Sequence, residues 1–417
     1  ITKLSPKQKL VMKWAHMPQY RDKKAIICDG SVRSGKTVSM IIGFVHWAMR
    51  FFDGKNFGIC GKTVCSTERN IITPLLSMVD ITDYYDVTYR RGNSLLTIRD
   101  GEKVNRFYVF GGKDESSYTL IQGITLSGVL FDEVALMPQS FVDQAIARTL
   151  SEPKARYWFN CNPESSEHWF YKEWICNTRQ KKAIHLHFTM QDNPILSPKQ
   201  IADAEALYNG VFYDRYILGL WRLAEGLIYP MFDKSKHVVP DTMPAVGTGT
   251  FYLSCDYGTL NPTSIGLWHL SDTGYATRIR EYYYDGRQNR TPRTDEEHYA
   301  ALEQLAGDLA PYIRAVIVDP SAASLIECIR RHGKFRVWHA DNSVLDGIRD
   351  TATLLQLGRI QICAGCKDCI REFSLYRWDE KSTGKDKPLK ENDHAMDDMR
   401  YFVRTAMQTT LKQIRRG

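Results

Sequence analysis

A glycine-rich octapeptide near the amino terminus constrains the fold more than any other feature of the sequence. It consists of Gly30, Ser31, Val32, Arg33, Ser34, Gly35, Lys36 and Thr37 and fits the pattern G-x-x-x-x-G-K-[ST] without a substitution. The apolar segment Ala25–Cys28 precedes it, and an apolar-rich segment of helical length follows it. Strand, glycine loop and helix in this order form the context in which the pattern binds phosphate. The octapeptide therefore predicts a P-loop nucleotide site in an α/β fold.

The residue types of this loop suit a triphosphate. Glycines let backbone N–H groups curl around phosphate oxygens, and the amino terminus of the next helix adds a favourable partial charge. Lys36 is expected to neutralise the β- and γ-phosphates of ATP, and Thr37 to bind Mg²⁺. Arg33 is a candidate for stabilising charge in the transition state. The alternative is a coincidental glycine turn before a helix.

Two acids follow a short apolar run farther along the chain. Residues 129–131 are apolar and lead directly into Asp132 and Glu133. We expect Asp132 to hold Mg²⁺ through water and Glu133 to polarise the attacking water; a solvated acidic pair at a helix start is the alternative. Arg148 lies about four helical turns beyond Glu133 and is a candidate to act on a neighbouring subunit's nucleotide, with an ordinary surface arginine as the alternative.

The second half of the chain places acids at the ends of apolar runs. Asp256 follows residues 252–255, Asp319 follows residues 316–318, and a cluster at 393–398 opens a helix-like segment. Two divalent ions about 4 Å apart need several converging carboxylates, and Asp256, Asp319 and Asp397 supply such a set. Carboxylate ligands favour Mg²⁺ or Mn²⁺ over Zn²⁺.

Two further acids of the 393–398 cluster are open to more than one interpretation. Asp393 shares a helix face with Asp397 at a spacing of four residues, so it is either an accessory ligand or the N-cap of the helix. Asp398 points about 100° away from Asp397 on a helix. Three unrelated surface acids remain the alternative to the whole metal centre.

The chain organisation predicts separate domains. Between residue 26 and about residue 190, short apolar runs alternate with segments of helical length, as in a doubly wound α/β sheet. Residues 192–225 contain Asn-Pro and Ser-Pro breaks and two helix-like segments, which predict a small helical lid or linker. Residues 230–249 carry three prolines and two glycines, the composition of a domain boundary. We therefore predict domains over 1–190, 191–235 and 236–417.

Composition narrows the class of protein. No apolar stretch approaches the roughly 20 residues that cross a bilayer, so a soluble cytoplasmic protein is expected. A net charge of +7 favours an anionic partner without identifying one. The ten cysteines lie among apolar neighbours, as expected for reduced thiols. Cys363, Cys366 and Cys369 would suit zinc only with a fourth ligand from elsewhere.

Several strings of the sequence resemble large terminase subunits of tailed bacteriophages, and most closely the branch of Gram-positive phages and defective prophages. The resemblance runs from about Leu4 to Arg404. It is most specific in the C-terminal acids and in four other places: Arg33 within the P-loop, Asp132–Ala135, Asn160–Glu164 before His168–Phe170, and Gly219–Trp221 before Glu225–Pro230.

The resemblance implies a fold and a function for each half. The first domain would be an ATPase that pumps double-stranded DNA into a capsid, and the second a ribonuclease H-like nuclease that cuts concatemers. Asn160–Glu164, including Asn162, would sense the γ-phosphate and move the lid, and Gln8 would lie beside the adenine. In such nucleases the acids come from the first strand, the fourth strand and a late helix. The late acid follows a histidine by three residues, here His394 before Asp397.

The same resemblance implies partners. They are a small terminase subunit and the portal of the procapsid, on which a ring would assemble in the host cytoplasm from a chain that is monomeric in isolation. Candidate contacts to the DNA backbone are Lys381, Lys385, Lys387, Lys390, Lys412, Arg415 and Arg416. The alternatives are a repair or helicase-type ATPase-nuclease, and a nucleotide-gated assembly protein with an inert nuclease.

Overall fold

The computed structural model describes residues 3–208, 210–259, 261–286, 288–382 and 386–416, without the side chains of residues 415 and 416. It separates into two compact units. The first contains the chain up to Glu205 and Val211–Leu223, and the second contains Ala206–Gly210, Ala224–Ser382 and the chain from Asp386. The region predicted as a lid is thus divided, with residues 191–205 and 211–223 in the first unit and 224–235 in the second. The three-domain division stays a prediction.

The first unit is built on an eight-stranded sheet in the order β3-β4-β5-β2-β6-β7-β1-β8. Its strands are β1 (Ala25–Gly30), β2 (Asn56–Gly61), β3 (Asp86–Arg90), β4 (Leu95–Asp100), β5 (Lys103–Gly111), β6 (Gly128–Phe131), β7 (Arg156–Asn160) and β8 (Ala183–Phe188). Six strands are parallel, and β3 and β4 extend one edge in antiparallel pairing. The apolar segment Ala25–Cys28 lies in β1, and the apolar run at residues 129–131 lies in β6.

Helices cover both faces of this sheet. They are α1 (Pro6–Lys13), α2 (Lys36–Phe51), α3 (Val64–Thr67), α4 (Thr73–Leu76), α5 (Val79–Thr82), α6 (Gln139–Ala147), α7 (Pro198–Glu205) and α8 (Gly210–Tyr216). On one face Phe44 of α2 packs against Trp158 and Phe57 of the sheet. On the other, Phe141 of α6 joins a separate core with Phe131 and Phe159. Two cores on opposite faces of one mainly parallel sheet confirm the doubly wound prediction.

The second unit is built on a seven-stranded mixed sheet in the order β14-β13-β10-β11-β12-β15-β9. Its strands are β9 (Val238–Val239), β10 (Gly249–Asp256), β11 (Thr263–Ser271), β12 (Ala276–Tyr284), β13 (Ile313–Val318), β14 (Val337–His339) and β15 (Ile360–Cys363). The first three long strands, β10 to β12, pair antiparallel, and β13 then joins β10 in parallel.

Helices complete the second unit. They are α9 (Lys234–His237), α10 (Asp295–Ala306), α11 (Ala323–His332), α12 (Val344–Gln356), α13 (Lys367–Phe373), α14 (His394–Ala406) and α15 (Gln408–Arg416). Leu302 of α10 and Leu325 of α11 belong to one core with Leu253 of the sheet. Phe402 of α14 stacks on Trp268 with ring centroids 4.4 Å apart, so α14 lies directly on the central strands.

Candidate nucleotide and metal sites

The P-loop backbone is fixed by conformations and contacts that its sequence permits. Gly30 ends β1 at φ +124°, and a Cβ there would lie 1.9 Å from the Phe188 carbonyl oxygen, so only glycine fits. The Ser31 and Val32 amides donate to the carbonyls of Phe188 and Tyr216 at 2.8 and 2.9 Å. Arg33 adopts φ +58°, a strained conformation for a residue with a side chain. These constraints hold the loop open at the start of α2.

A cavity of about 570 Å³ lies over this loop. Its lining includes nearly all of the nucleotide-site residues predicted from the sequence: Val32, Arg33, Ser34, Gly35, Lys36, Thr37, Asp132, Glu133 and Asn162. The volume is within the range of small-molecule sites, about 300–1,000 Å³. The cavity has room for a nucleotide beside Lys36.

Lys36 is buried and turned onto the loop itself. Its Nζ donates to the carbonyl oxygens of Ser31 and Gly30, at 2.6 and 3.1 Å, and to Asn162 Oδ1 at 3.2 Å. Burial lowers the pKa of Lys36 to about 8, because a low-dielectric surrounding disfavours the ammonium charge. The negative oxygens of a bound phosphate would stabilise the ammonium charge of Lys36.

A chain of hydrogen bonds joins Asp132 to Thr37. The Asn160 Nδ2 atom at the end of β7 donates to Asp132 Oδ1 at 2.6 Å and to Thr37 Oγ1 at 2.9 Å. Burial raises the pKa of Asp132 despite this contact. The two groups predicted to serve magnesium are therefore adjacent, and Asn160 holds them. No sequence pattern predicts this role for Asn160, because a residue on a third strand gains it only through sheet order.

The other candidates of the first site differ in position. Glu133 is half-buried at φ +56° and lines the cavity. Arg33 is exposed and also lines it. Arg148 does not line the cavity; it caps α6, and its Nε lies 3.0 Å from the Gln144 amide oxygen in the favourable amide orientation. A role for Arg148 toward a second subunit stays a prediction.

Gln8 is buried and lies against the loop. Its Oε1 accepts from the Ser5 amide at 2.9 Å, in the capping box that starts α1. A Cβ on Gly35, which has φ +80°, would lie 2.2 Å from Gln8 Nε2. Gln8 therefore packs on the second glycine of the motif. Its place beside adenine stays a prediction.

Behind the loop lies a polar cluster that the sequence analysis did not identify. Asp29 is buried, and its carboxylate accepts from His185 Nε2 at 2.8 Å and from Trp221 Nε1 at 2.7 Å, with His187 Nδ1 3.3 Å away. Burial opposes ionisation, but these hydrogen bonds outweigh it and hold the pKa of Asp29 well below its ordinary value. Asp29 thus links the strand before the P-loop to residues 219–222.

In the second unit, two predicted acids stand at one edge of the sheet because their strands are neighbours. Cys255 of β10 pairs with Val318 of β13 in parallel register. Asp256 and Asp319 follow these residues, so both stand at the same edge of the sheet. Asp319 accepts from the Ser321 amide at 2.7 Å and from Asn342 Nδ2 at 3.0 Å. Although burial opposes it, these bonds lower the pKa of Asp319.

Tyr401 marks where α14 brings the third acid. Its hydroxyl donates to Asp256 Oδ1 at 3.3 Å. Burial raises the pKa of Tyr401, and the charges of Asp256, Asp397 and Asp319 raise it further. Tyr401 thus contacts Asp256 directly and lies within the electrostatic influence of Asp397 and Asp319.

The acidic centre also holds basic side chains. His394 Nδ1 lies 2.8 Å from Asp256 Oδ2, Arg400 lies 2.9 Å from Asp397 Oδ1, and Lys390 lies 3.4 and 3.6 Å from Asp393 and Asp397. Asp393 occupies the N-cap position of α14 but makes no side-chain capping bond, so it is available to the acidic centre.

The donor chemistry of this centre fits a hard divalent cation. Burial raises the pKa of Asp256 to about 6 even though the His394 hydrogen bond opposes the rise, and the charge of Asp397 adds to it. The pKa of Asp393 is also raised, first by burial and then by Asp397. Crowded carboxylate oxygens of this kind suit Mg²⁺ or Mn²⁺.

Asp398, next to Asp397, faces the other way. It is fully buried, and its carboxylate is held by Arg278 at 2.5 and 3.0 Å and by the hydroxyls of Ser254 and Ser264. Its role is to balance the buried guanidinium. Asp397 and Asp398 therefore point in different directions, as the separation of about 100° between neighbouring helical residues predicts.

The remaining candidates from the sequence are three cysteines and the basic residues predicted to contact DNA. Cys363, Cys366 and Cys369 are buried and free, and among the described residues they do not form a set of three donors within 4.8 Å. The side chains of Lys381, Lys387 and Lys412 are exposed, whereas Lys390 pairs with acids. Lys385 and the side chains of Arg415 and Arg416 lie outside the described residues. No described helix is both long and apolar enough to cross a membrane.

Comparisons with known proteins identify the family. The family described as "Terminase large subunit, T4likevirus-type, N-terminal" matches residues 27–236, which is 210 of the 417 residues. The chain belongs to the large terminase subunit family. The resemblance predicted from the sequence is therefore confirmed.

Solved structures agree with this large terminase subunit over nearly its whole length. The large terminase of a thermophilic bacteriophage, in one crystal form, is 49% identical, with 97% of this chain and 99% of that chain covered and a TM-score of 0.91. The same protein in complex with ADP is 48% identical, with 97% and 100% covered and a TM-score of 0.89. The large subunit of Escherichia phage T5 is 24% identical over 66% of this chain, and the match spans 64% of that protein's length.

Proposed function

We propose that this large terminase subunit hydrolyses ATP in its first unit and cleaves DNA in its second, as the motor and nuclease of viral genome packaging. The cavity over the P-loop is the observation that carries the proposal, because it combines Lys36, Thr37, Asp132 and Glu133 in a space of about 570 Å³. The relative from the thermophilic bacteriophage, 48% identical, has been solved with ADP and with ATP-γ-S, which supports a nucleotide in the corresponding place here.

Each residue of the ATPase site has a role that follows from its position. Lys36 neutralises the β- and γ-phosphates, and Thr37 and Asp132 hold the magnesium that accompanies the nucleotide. Glu133 orients and polarises the attacking water, and Arg33 stabilises charge in the transition state. Asn162 accepts from Lys36 in the structure, so phosphate binding releases Asn162 and gives the 160–164 segment a way to respond to the nucleotide.

In the nuclease centre Asp256, Asp319 and Asp397 hold two Mg²⁺ or Mn²⁺ ions, with Asp393 as an accessory ligand. When bound, the ions activate water and stabilise the leaving oxygen of the phosphodiester. His394 orients Asp256 through its 2.8 Å contact, and Arg400 orients Asp397. The exposed lysines near α14 contact the DNA backbone without reading sequence.

The partners follow from family membership. Double-stranded DNA is the substrate of both units, a small terminase subunit selects it, and the procapsid portal carries a ring of this chain in the host cytoplasm. Stimulation of ATP hydrolysis by a small terminase subunit or a portal ring would support packaging. Stimulation by DNA alone, with neither partner having an effect, would instead favour a repair-type ATPase-nuclease.

The ATPase assignment is tested by Glu133→Gln in the full chain. We expect ATP hydrolysis to fall by about 100-fold or more, because general acid–base catalysis contributes about 10²–10⁴-fold, while binding of a fluorescent ATP analogue is retained. Glu102→Gln, an exposed acid in a turn, is the matched control and should hydrolyse ATP normally. Equal hydrolysis by both variants would refute the role of Glu133.

The nuclease assignment is tested by plasmid cleavage in Mn²⁺ with the full chain. Asp256→Asn and Asp319→Asn should each stop cleavage and leave ATP hydrolysis unchanged. Asp272→Asn, an exposed acid, should cleave like the parent protein. Cleavage by Asp256→Asn, or cleavage that survives chelation of divalent metal, would contradict the proposal.

A further inference from the structure

Three side chains of different chemistry meet on one face of the second unit, apart from the acids of the proposed nuclease centre. They are Glu296 in the first turn of α10 and Cys328 and His332 of α11. One donor atom from each lies within 4.8 Å of the other two, and among the described residues no other three His, Cys, Asp or Glu side chains meet that limit. The site therefore combines a carboxylate, a thiol and an imidazole.

The two helices present these donors in a favourable geometry. Cys328 and His332 are four residues apart on α11, so they share a helix face. The His332 Nε2 atom lies 2.7 Å from Glu296 Oε2. The ring of His332 stacks on Tyr299 with centroids 3.8 Å apart and planes 7° apart, which fixes the direction of its nitrogen. Glu296 is 67% exposed and His332 40%, so an ion can enter from solvent.

We propose that Glu296, Cys328 and His332 bind one zinc ion between α10 and α11, with water in the fourth position. Zinc accepts sulfur, nitrogen and oxygen donors in a tetrahedron with bonds of about 2.0–2.3 Å, which places ligand atoms roughly 3.3–3.8 Å apart. A small outward movement of the exposed Glu296 carboxylate from His332 gives that spacing. Magnesium, which prefers oxygen ligands, does not compete for a thiolate and an imidazole.

The environment of Cys328 argues against a reactive thiol. Burial and the neighbouring Glu296 carboxylate raise the pKa of Cys328 to about 11, so the thiol is protonated at neutral pH and is a poor nucleophile. A coordinating divalent ion displaces that proton.

Zinc at this place would tie two helices of one core together. Tyr299 and Leu302 of α10 belong to the same buried cluster as Cys328 and Ile329 of α11. Ligands from both helices make the folded arrangement a condition of tight binding, so zinc binding stabilises the second unit. This role is independent of ATP hydrolysis and DNA cleavage.

The test is zinc binding to the full chain in excess Mg²⁺, which occupies the oxygen-ligand sites. After dialysis against limiting Zn²⁺, we expect one more equivalent of zinc in the parent protein than in Cys328→Ser. Cys65→Ser, which removes an exposed cysteine of α3, is the control and should retain that equivalent. With Co²⁺ in place of zinc, the parent protein should show a thiolate-to-metal absorption band that Cys328→Ser lacks.

A second variant protects the test against misfolding. Glu296→Gln changes an exposed side chain and should weaken zinc binding by about 10-fold or more, the scale of losses that metal sites show on altered ligation. Equal zinc content in the parent protein and in Cys328→Ser would overturn the proposal, as would a cobalt spectrum without a thiolate band. In that case His332 and Glu296 form an ordinary surface ion pair beside a buried cysteine.

Discussion

Replacing Asp398 by asparagine removes the charge that balances a buried arginine in the second unit. Asp398 and Arg278 are both fully buried, and two hydrogen bonds of 2.5 and 3.0 Å join them. The substitution conserves volume and one acceptor oxygen but leaves the guanidinium without its main counter-charge. Glu281, 3.6 Å from Arg278, compensates in part.

The size of the effect follows from this geometry. Removing one partner of a buried ion pair lowers the free energy of unfolding by about 3–5 kcal/mol. Because Glu281 compensates in part, we expect Asp398→Asn to lower it by about 3 kcal/mol. In a unit of this size each kcal/mol lowers the melting temperature by about 2–4 °C, so we expect a decrease of about 6–12 °C. Asp272→Asn, at an exposed acid, should change the free energy of unfolding by about 0.5 kcal/mol or less, as is usual for a surface substitution.

Denaturant unfolding followed by fluorescence and by circular dichroism measures both variants. Asp272→Asn should unfold like the parent protein, whereas Asp398→Asn should unfold at lower denaturant concentration. Adding Arg278→Met to Asp398→Asn should recover at least about 1 kcal/mol, because the unbalanced guanidinium is removed, while the Asp368 and Cys369 amides still donate to Glu281. Equal unfolding midpoints for Asp398→Asn and the parent protein, or a further loss on adding Arg278→Met, would refute the reasoning.

Three more predictions concern Lys36, Arg148 and Glu372. Lys36→Ala should abolish ATP hydrolysis in a phosphate-release assay while plasmid cleavage in Mn²⁺ continues; loss of both would mean that Lys36 supports the fold and not only the nucleotide. Arg148→Ala should hydrolyse ATP within about 2-fold of the parent rate in the monomeric chain, since Arg148 does not line the cavity. A loss of ATP hydrolysis above the roughly 10³-fold expected for an arginine finger would instead place Arg148 in the nucleotide site of its own subunit. Glu372 of α13 is fully buried and accepts from the Tyr283 hydroxyl and from the Ala395 amide, each at 2.7 Å. Burial raises the pKa of Glu372 to about 7, above its ordinary value of about 4.3. The stabilisation that Glu372 contributes when protonated is therefore complete below about pH 4 and is lost as pH rises toward 7. Melting curves from pH 4 to 8 should fall less steeply for Glu372→Gln than for the parent protein, and parallel curves would contradict the assignment.

Much of the fold was predictable because apolar runs and breaks mark buried parallel strands. Strands β3 and β8 lack such an apolar run. β3 alternates exposed and half-buried residues at a sheet edge, so its apolar signal is weak. β8 carries His185 and His187 within its six residues, and these side chains serve Asp29 instead of a core.

The candidate sites also contain residues that no local sequence pattern identifies. Asn160 contacts both Asp132 and Thr37 because β7 lies between β6 and β1 in the sheet, an order that no local pattern contains. Tyr401 lies four residues after Asp397 on α14, and its spacing alone favours neither a core position nor a contact to Asp256.

The sequence by itself determined the phosphate loop and the positions of Asp132, Asp256 and Asp319, because a contiguous motif and an acid at the end of an apolar strand are local properties of the chain. Only the tertiary structure decided that Asp397 faces the acidic centre while Asp398 neutralises Arg278, and that Cys328 meets a carboxylate from another helix. These partners are distant in the chain, and packing of helices on the sheet, not residue spacing, sets which side chains share a low-dielectric surrounding.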